Sequence, residues 1–294
     1  MAAYRYIVCD VFTTQRFEGN QLAVFPDAEG LTDEQMQTIA RELNLSETSF
    51  VFAAQDPYLA RLRIFTPGRE IAFAGHPTIG TAFVLTMLGR VPANVESFVL
   101  GEVGGDVPVR LEGRDNDFMA WLSTPPMHFG ATFDPAECAR FVGLRPEDVL
   151  ANCTPQLVGV STPFLYVAVR DAAAVDRARL DESALYESIQ AAELNGVFIF
   201  APTKKGAYSR MFAPMSGITE DPATGSATGP LGAYMAQCSL IESRDGIAFI
   251  SEQGTKMHRR SILHARLRCD NAGTIQTVEV GGSAILVAEA TMHL

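Results

Sequence analysis

Positive charge is scarce in this chain of 294 residues: 23 Lys and Arg face 34 Asp and Glu, for a net charge of -11. Neither phosphate nor acidic lipid is drawn to such a surface, so nucleic acid and anionic membrane are excluded as partners. The pairs Lys204-Lys205 and Arg259-Arg260 are too short to change that. No run of about 18 apolar residues occurs. Residues 1–10 lack a basic region followed by an apolar core and a cleavage site, so a cytoplasmic protein is expected. The five cysteines, Cys9, Cys138, Cys153, Cys238 and Cys269, are odd in number and not closely spaced. That pattern fits reduced thiols better than disulfides or a zinc site. His128, His258, His264 and His293 also lack ligand-like partners and read as surface or packing residues. No metal and no cofactor are expected.

Charge is missing altogether from two stretches, residues 77–89 and 222–241. A helix there has no solvated face over most of its length, so each is expected to be wrapped by its own sheet. The two stretches open alike. When His76 is set over Asp221 they read HPTIGTA and DPATGSA. The echo continues upstream: Arg63-Ile64-Phe65-Thr66-Pro67 matches Arg210-Met211-Phe212-Ala213-Pro214, and Phe50-Val51-Phe52 matches Val197-Phe198-Ile199-Phe200. Self-similarity at about half the chain length means two copies of one supersecondary unit. Two similar lobes facing each other are expected.

Proline following a polar residue suits the first helical position, with its neighbour as cap. His76 and Asp221 are thereby expected at helix N-termini. Such an end offers backbone N–H groups and a positive dipole, and Gly75, Gly80 and Gly225 let a ligand approach the backbone. Two such ends meeting would bind an anion, most simply a carboxylate. The alternative is that each proline merely starts a structural helix; the matched pair weighs against it.

Hydrophobic residues make up 47% of the chain, ample for packed cores, and the duplication points to two domains. Thr124-Pro125-Pro126 is the strongest linker signal. The expected division is 1–124 and 125–283, with the apolar run 284–290 returning to the first lobe. Residues 4–12 and 21–25 read as neighbouring strands around a Gly19-Asn20 turn. Thr32 opens a helix with Gln35 completing a capping box, Met36, Ile39, Ala40 and Leu43 on one face, and Asn44 at its end. Glu47 follows on the link to a strand at 50–53. It is either a carboxylate projecting from a rigid frame or an ordinary loop acid. Further strands are expected at 59–65, 71–73, 98–100, 107–111 and 118–122. The second lobe is expected to open with a helix at 135–141. Strands at 157–160 and 164–169, a polar helical region at 181–192, and strands at 197–200, 208–212, 247–251, 262–269 and 275–280 follow.

With these residues in hand, the chain resembles the PhzF family of phenazine-biosynthesis-like isomerases. DVFTTQRFEGNQLAVF, MQTIARELNLSETSFVF, FTPGREIAFAGHPTIGTA, EDPATGSATGPLGAYM, SEQGTKM and VGGSAILVAEATM stand in that family's order over nearly the whole length. The resemblance implies an α+β, diaminopimelate-epimerase-like fold of two pseudo-symmetric lobes. Each lobe would be a β-barrel-like sheet around a central buried helix, with the active site in the cleft and a homodimer as the assembly. It assigns the catalytic acid/base to Glu47 and a polar pair that holds and polarises substrate to His76 and Asp221. Asn20, Gly75, Gly225 and Ser226 fall where the family contacts its substrate, including its carboxylate. In one place the chain departs from the pattern. Where the family commonly has Met-Gly-Arg-Pro, this sequence has Met257-His258-Arg259-Arg260, which implies a different turn.

The expected activity is a cofactor-independent isomerisation. Glu47 moves a proton along a small unsaturated carboxylic acid, similar to trans-2,3-dihydro-3-hydroxyanthranilate, the substrate that defines the family. One alternative is an amino-acid racemase or epimerase of the same fold, which uses two cysteine thiols; His76 and Asp221 stand in those places here. The other is a small-molecule binding protein without turnover.

Overall fold

The computed structural model describes residues 2–160, 162–189 and 193–294. They form a mixed α+β chain that is mostly sheet, with six α-helices among the described residues. Contacts divide the chain into two compact units, Met1–Ser123 with Gly281–Leu294, and Thr124–Val280. No helix among the described residues is long and apolar enough to cross a membrane.

The first unit contains β1 (Ala3–Val11), β2 (Asn20–Phe25), α1 (Asp33–Leu43), β3 (Glu47–Phe52), β4 (Tyr58–Phe65), β5 (Glu70–Ile71), α2 (Gly75–Met87), β6 (Ser97–Glu102), β7 (Gly105–Leu111) and β8 (Ala120–Ser123). The α1 crossover lets β2 and β3 pair in parallel. Then β3–β4 is antiparallel, β4–β6 parallel and β6–β7 antiparallel. Thr32 and Gln35 form the capping box of α1, and Asn44 ends it in the left-handed conformation at φ 50°. The buried face of α1 (Met36, Ile39, Ala40) packs on Phe25, Phe50 and Phe65. Consecutive rings of Tyr6, Phe25, Phe50 and Phe65 lie 5.1, 4.9 and 5.5 Å apart. Residues Gly75 to Leu85 of α2 are all buried, against β1, β2, β3 and β8. Gly80 permits that approach, because a Cβ there would lie 2.5 Å from Leu22 Cδ2.

The second unit contains β9 (His128–Thr132), α3 (Pro135–Phe141), β10 (Gln156–Gly159), β11 (Phe164–Ala168), α4 (Ala172–Arg177), α5 (Glu182–Ile189), β12 (Gly196–Thr203), β13 (Gly206–Ala213), β14 (Ile218–Asp221), α6 (Gly225–Gln237), β15 (Ala248–Gln253), β16 (Ser261–Cys269) and most of β17 (Ile275–Gly282). The same alternation of ladders recurs: β11–β12 parallel, β12–β13 antiparallel, β13–β15 parallel, β15–β16 antiparallel. Leu231, Tyr234 and Met235 of α6 pack among Tyr166, Phe198, Phe200, Phe249 and Leu267. The last strand, β18 (Ala284–His293), pairs antiparallel with β1.

Several expectations need correction. Glu47 is the first residue of β3, not part of a link. The strand expected at 71–73 is the two-residue β5. A strand, β9, precedes the helix expected to open the second unit. Of the helical region at 181–192, Glu182–Ile189 is helix, and residues 190–192 lie outside the described residues.

The reduced-thiol expectation fails for two cysteines: Cys153 and Cys238 form a disulfide, with Cα atoms 5.2 Å apart across 85 residues. Packing brings them together. Cys238 caps the end of α6, and the Tyr234 hydroxyl of that helix donates to the Thr154 carbonyl at 2.7 Å. Cys9, Cys138 and Cys269 are free.

Neither proline opens a helix. Ala74 is the N-cap of α2, so His76 is its second residue and Pro77 its third. Thr224 is the N-cap of α6, and Asp221 is the last residue of β14, held extended opposite Met211. The repeat therefore aligns differently from the reading HPTIGTA over DPATGSA. Thr78 donates its hydroxyl to the Ala74 carbonyl at 2.7 Å, and Thr228 donates to Thr224 at 3.0 Å. Gly75-His76-Pro77-Thr78 thus matches Gly225-Ser226-Ala227-Thr228. The extra residues lie in the β13–β14 hairpin, where Arg210 meets Glu220 ten residues on, whereas Arg63 meets Glu70 seven residues on.

Candidate active site

In the first unit, three elements deliver polar groups to one place. Gly19, at φ 67°, turns the chain into β2; a Cβ there would meet the Val11 carbonyl oxygen at 2.3 Å. Asn20 follows as the first residue of β2, opposite Val11 of β1 and 1% exposed. Glu47 starts the adjacent parallel strand, in register with Leu22. His76 enters from the first turn of α2. Its Nδ1 lies 3.4 Å from Glu47 Oε2 and 3.4 Å from Asn20 Nδ2. The Glu47 side chain is 14% exposed and that of His76 5%.

Burial depresses the His76 imidazole to about 3, against a smaller opposing contribution from the backbone at Gln21. The ring is therefore neutral near pH 7, and its 3.4 Å contact with Glu47 is not an ion pair. A neutral imidazole has one N–H and one lone pair. Asn20 Nδ2 can only donate, so its 3.4 Å contact calls for the lone pair on Nδ1, which places the ring hydrogen on Nε2. That Nε2 is buried and has no hydrogen-bond partner among the described residues.

In the second unit, Asp221 is 7% exposed, and its Oδ2 accepts from the Thr224 hydroxyl at 2.6 Å. Gln253, at the end of β15, ties this corner together. Its Nε2 donates to the Asp221 carbonyl at 2.7 Å and to Thr224 Oγ1 at 3.0 Å, and its Oε1 accepts from the Thr224 N–H at 3.2 Å. Gly225 and Ser226 are the first two residues of α6. Asn20, Glu47, Gly75 and His76 thus gather in the first unit, whereas Asp221, Gly225 and Ser226 belong to the second.

Sequence reasoning missed Gln253, Thr224, Thr78 and Glu102. Gln253 lay in the SEQGTKM stretch that supported the resemblance, without a role. Glu102 carried no signal, since its partner Thr78 is 24 residues away. The departure at His258 is absorbed without changing the backbone class a glycine would take: His258 sits in the left-handed region at φ 57°. Among the described residues, no three His, Cys, Asp or Glu side chains cluster as a metal site requires.

Comparison with known proteins places this architecture among the isomerases. The trans-2,3-dihydro-3-hydroxyanthranilate isomerase of Pseudomonas aeruginosa is 35% identical over 297 residues, 99% of this chain and 100% of that protein. The crystal structure of a PhzF-family phenazine biosynthesis protein from Bacillus anthracis superposes with a TM-score of 0.90 at 25% identity, over 100% of both chains. A hydroxyproline epimerase from Agrobacterium vitis shares the fold alone, with a TM-score of 0.66 at 12% identity over 98% of this chain and 92% of that one. The chain belongs to the phenazine biosynthesis-like family, PhzC-PhzF, whose sequence model matches residues 9–290.

Proposed function

We propose that this isomerase moves a proton between two carbons of a small unsaturated carboxylic acid, with Glu47 as the acid/base. The observation that carries the reading is the 3.4 Å contact of Glu47 with a buried, neutral His76, beside Asn20. The Glu47 carboxylate takes a proton from one carbon, the electron pair left behind spreads into the unsaturated system, and the same carboxyl group returns the proton at the second carbon. One base suffices when both carbons present the same face. The buried His76 ring beside Glu47 holds the carboxyl group in place, and its Nε2–H is the group left to donate to a substrate heteroatom. Asn20, Gly75, Gly225 and Ser226 are assigned to the substrate, its carboxylate taking backbone N–H groups at a helix start. Asp221, fixed by Thr224 and Gln253, is assigned to orienting the ligand or binding its amine.

A two-thiol racemase reading finds no support in the cysteines. Cys153 and Cys238 are joined to each other. Burial pushes the Cys138 thiol up to about 12, and Cys9 is raised further, so neither is a ready base. The test uses trans-2,3-dihydro-3-hydroxyanthranilate and related dihydroaromatic acids in deuterated water, with carbon-bound deuterium read by NMR. The wild type incorporates deuterium, and Glu47→Gln loses roughly 10²–10⁴-fold of that rate while still binding ligand. Undiminished incorporation by Glu47→Gln removes the assignment. Ligand-induced thermal stabilisation without any consumption by the wild type would instead indicate a binding protein.

A further inference from the structure

We propose that Glu102 is a positioning residue for the turn that carries His76, and that its carboxyl group acts there in the protonated form, as the Gln253 amide acts at the start of α6. The link to activity rests on the reading of His76 given above; the protonation state does not.

Thr78 Oγ1 lies 2.7 Å from the Ala74 carbonyl oxygen and 2.6 Å from Glu102 Oε1. A hydroxyl has one hydrogen, so it cannot donate to both. A carbonyl only accepts, so the bond to Ala74 requires the hydrogen of Thr78. The corresponding Thr228 spends its hydrogen in the same way, on the Thr224 carbonyl at 3.0 Å. The 2.6 Å contact with Glu102 then needs a hydrogen from Glu102, and that length suits an O–H···O bond.

The second unit offers the control. Glu102 is the last residue of β6 and Gln253 the last residue of β15, each on the strand that pairs in parallel with its unit's arginine-bearing strand. Gln253 accepts from the N–H of the cap residue Thr224 and donates to its hydroxyl. Glu102 likewise lies against the backbone of the cap residue Ala74 and touches the hydroxyl of Thr78, while its Oε2 is buried with no hydrogen-bond partner among the described residues. A primary amide offers a donor and an acceptor, and so does a protonated carboxyl; a carboxylate offers acceptors only. The protonated acid is the form that reproduces the amide.

The surroundings agree. Glu102 is 8% exposed, and burial raises its carboxyl to about 7, against smaller opposing effects of the Thr78 hydroxyl and the Ala74 backbone. Opposite it stand Leu62 on β4 and Gly105 on β7. The charged residues on the elements around it are Arg61 and Arg63 on β4, Glu70 on β5, Asp106 and Arg110 on β7, and the neutral His76 on α2; none contributes to the shift. Loss of the proton turns Thr78 toward the new carboxylate, leaves the Ala74 carbonyl with only the Thr78 N–H at 3.3 Å and loosens the turn that sets His76.

The test is infrared difference spectroscopy of the whole protein across the neutral range, with Glu102→Gln as reference. A protonated-carboxyl C=O band that titrates near pH 7 in the wild type and is absent from Glu102→Gln is expected. In the deuterium-incorporation assay, Glu102→Gln keeps kcat within about threefold and loses the alkaline limb of the profile, whereas Glu102→Ala loses about tenfold or more in kcat with KM little changed. Absence of the band, or a Gln variant as impaired as the Ala variant, overturns the proposal. Should Glu102→Ala fail to fold, the band and the Gln variant still decide. Failure of the Glu47 assignment shows separately, as incorporation that survives Glu47→Gln.

Discussion

The start of α2 and the start of α6 share a backbone frame and differ in what they carry. Both begin on a glycine, both use a threonine to bond back to the cap residue, and both follow an arginine paired bidentately with a glutamate: Arg63 with Glu70 at 2.6 and 2.7 Å, Arg210 with Glu220 at 2.8 and 2.7 Å. Each guanidinium also lies over a ring, Arg63 on Phe65 and Arg210 on Phe212. Within that common frame, the first start holds a dry imidazole against a carboxyl group, and the second holds an aspartate bound by hydroxyl and amide. The frame supplies position, and the differing residues supply chemistry.

The deepest substitution breaks the shared arginine pair unequally. Arg210 is 7% exposed, and its guanidinium also donates to the Val175 and Ala178 carbonyls, so Arg210→Met leaves the partly buried Glu220 and both carbonyls without that donor and costs about 3 kcal/mol. Arg63, at 27%, has a second partner in the exposed Asp33, so Arg63→Met costs nearer 1 kcal/mol. Chemical denaturation of both variants checks the ratio; equal losses would mean the two frames are not differently buried.

The two buried titratable groups at α2 pull stability in opposite directions with pH. Glu102 stands near 7 when folded against an ordinary 4.5, so its contribution is fully present below about 4.5 and is lost as pH rises through 7. The amount is on the order of 3 kcal/mol. His76 stands near 3 against 6.5, so its contribution is present above 6.5 and is lost as pH falls toward 3. Glu102→Gln should flatten the decline between about pH 4.5 and 7, and His76→Gln the fall from about 6.5 toward 3, as read from midpoints of denaturant unfolding across pH. A Glu102→Gln variant that keeps the wild-type slope between about pH 4.5 and 7 would contradict the shift.

The smallest effect is expected in the second unit's turn after Gln253. His258 holds φ 57°, where a Cβ is crowded, so His258→Gly should stabilise by about 1 kcal/mol. A loss of stability there would mean that the His258 side chain makes up for the strain.

Much of this was legible where local chemistry decides. Thr32, Gln35 and Asn44 mark the ends of α1 because capping is settled within a few residues. The charge-free runs announced α2 and α6 because a helix without a polar face must be buried. What stayed hidden depends on contacts between distant segments. Pro222 looked like a helix start, but ladder pairing of Asp221 with Met211 keeps that corner extended. Cys153 and Cys238 carry no spacing signal because packing of α6 joins them. Asn20, Glu47 and His76 were named from the sequence, yet their convergence depends on the parallel pairing of β2 with β3 beneath α2.

The most direct test sets the two starts against each other: deuterium incorporation into substrate carbon by Glu47→Gln and by Asp221→Asn under saturating trans-2,3-dihydro-3-hydroxyanthranilate. Incorporation should vanish in Glu47→Gln and persist, at raised KM, in Asp221→Asn. Loss in Asp221→Asn alone, with Glu47→Gln still incorporating deuterium, would move the base to the second unit and contradict the account.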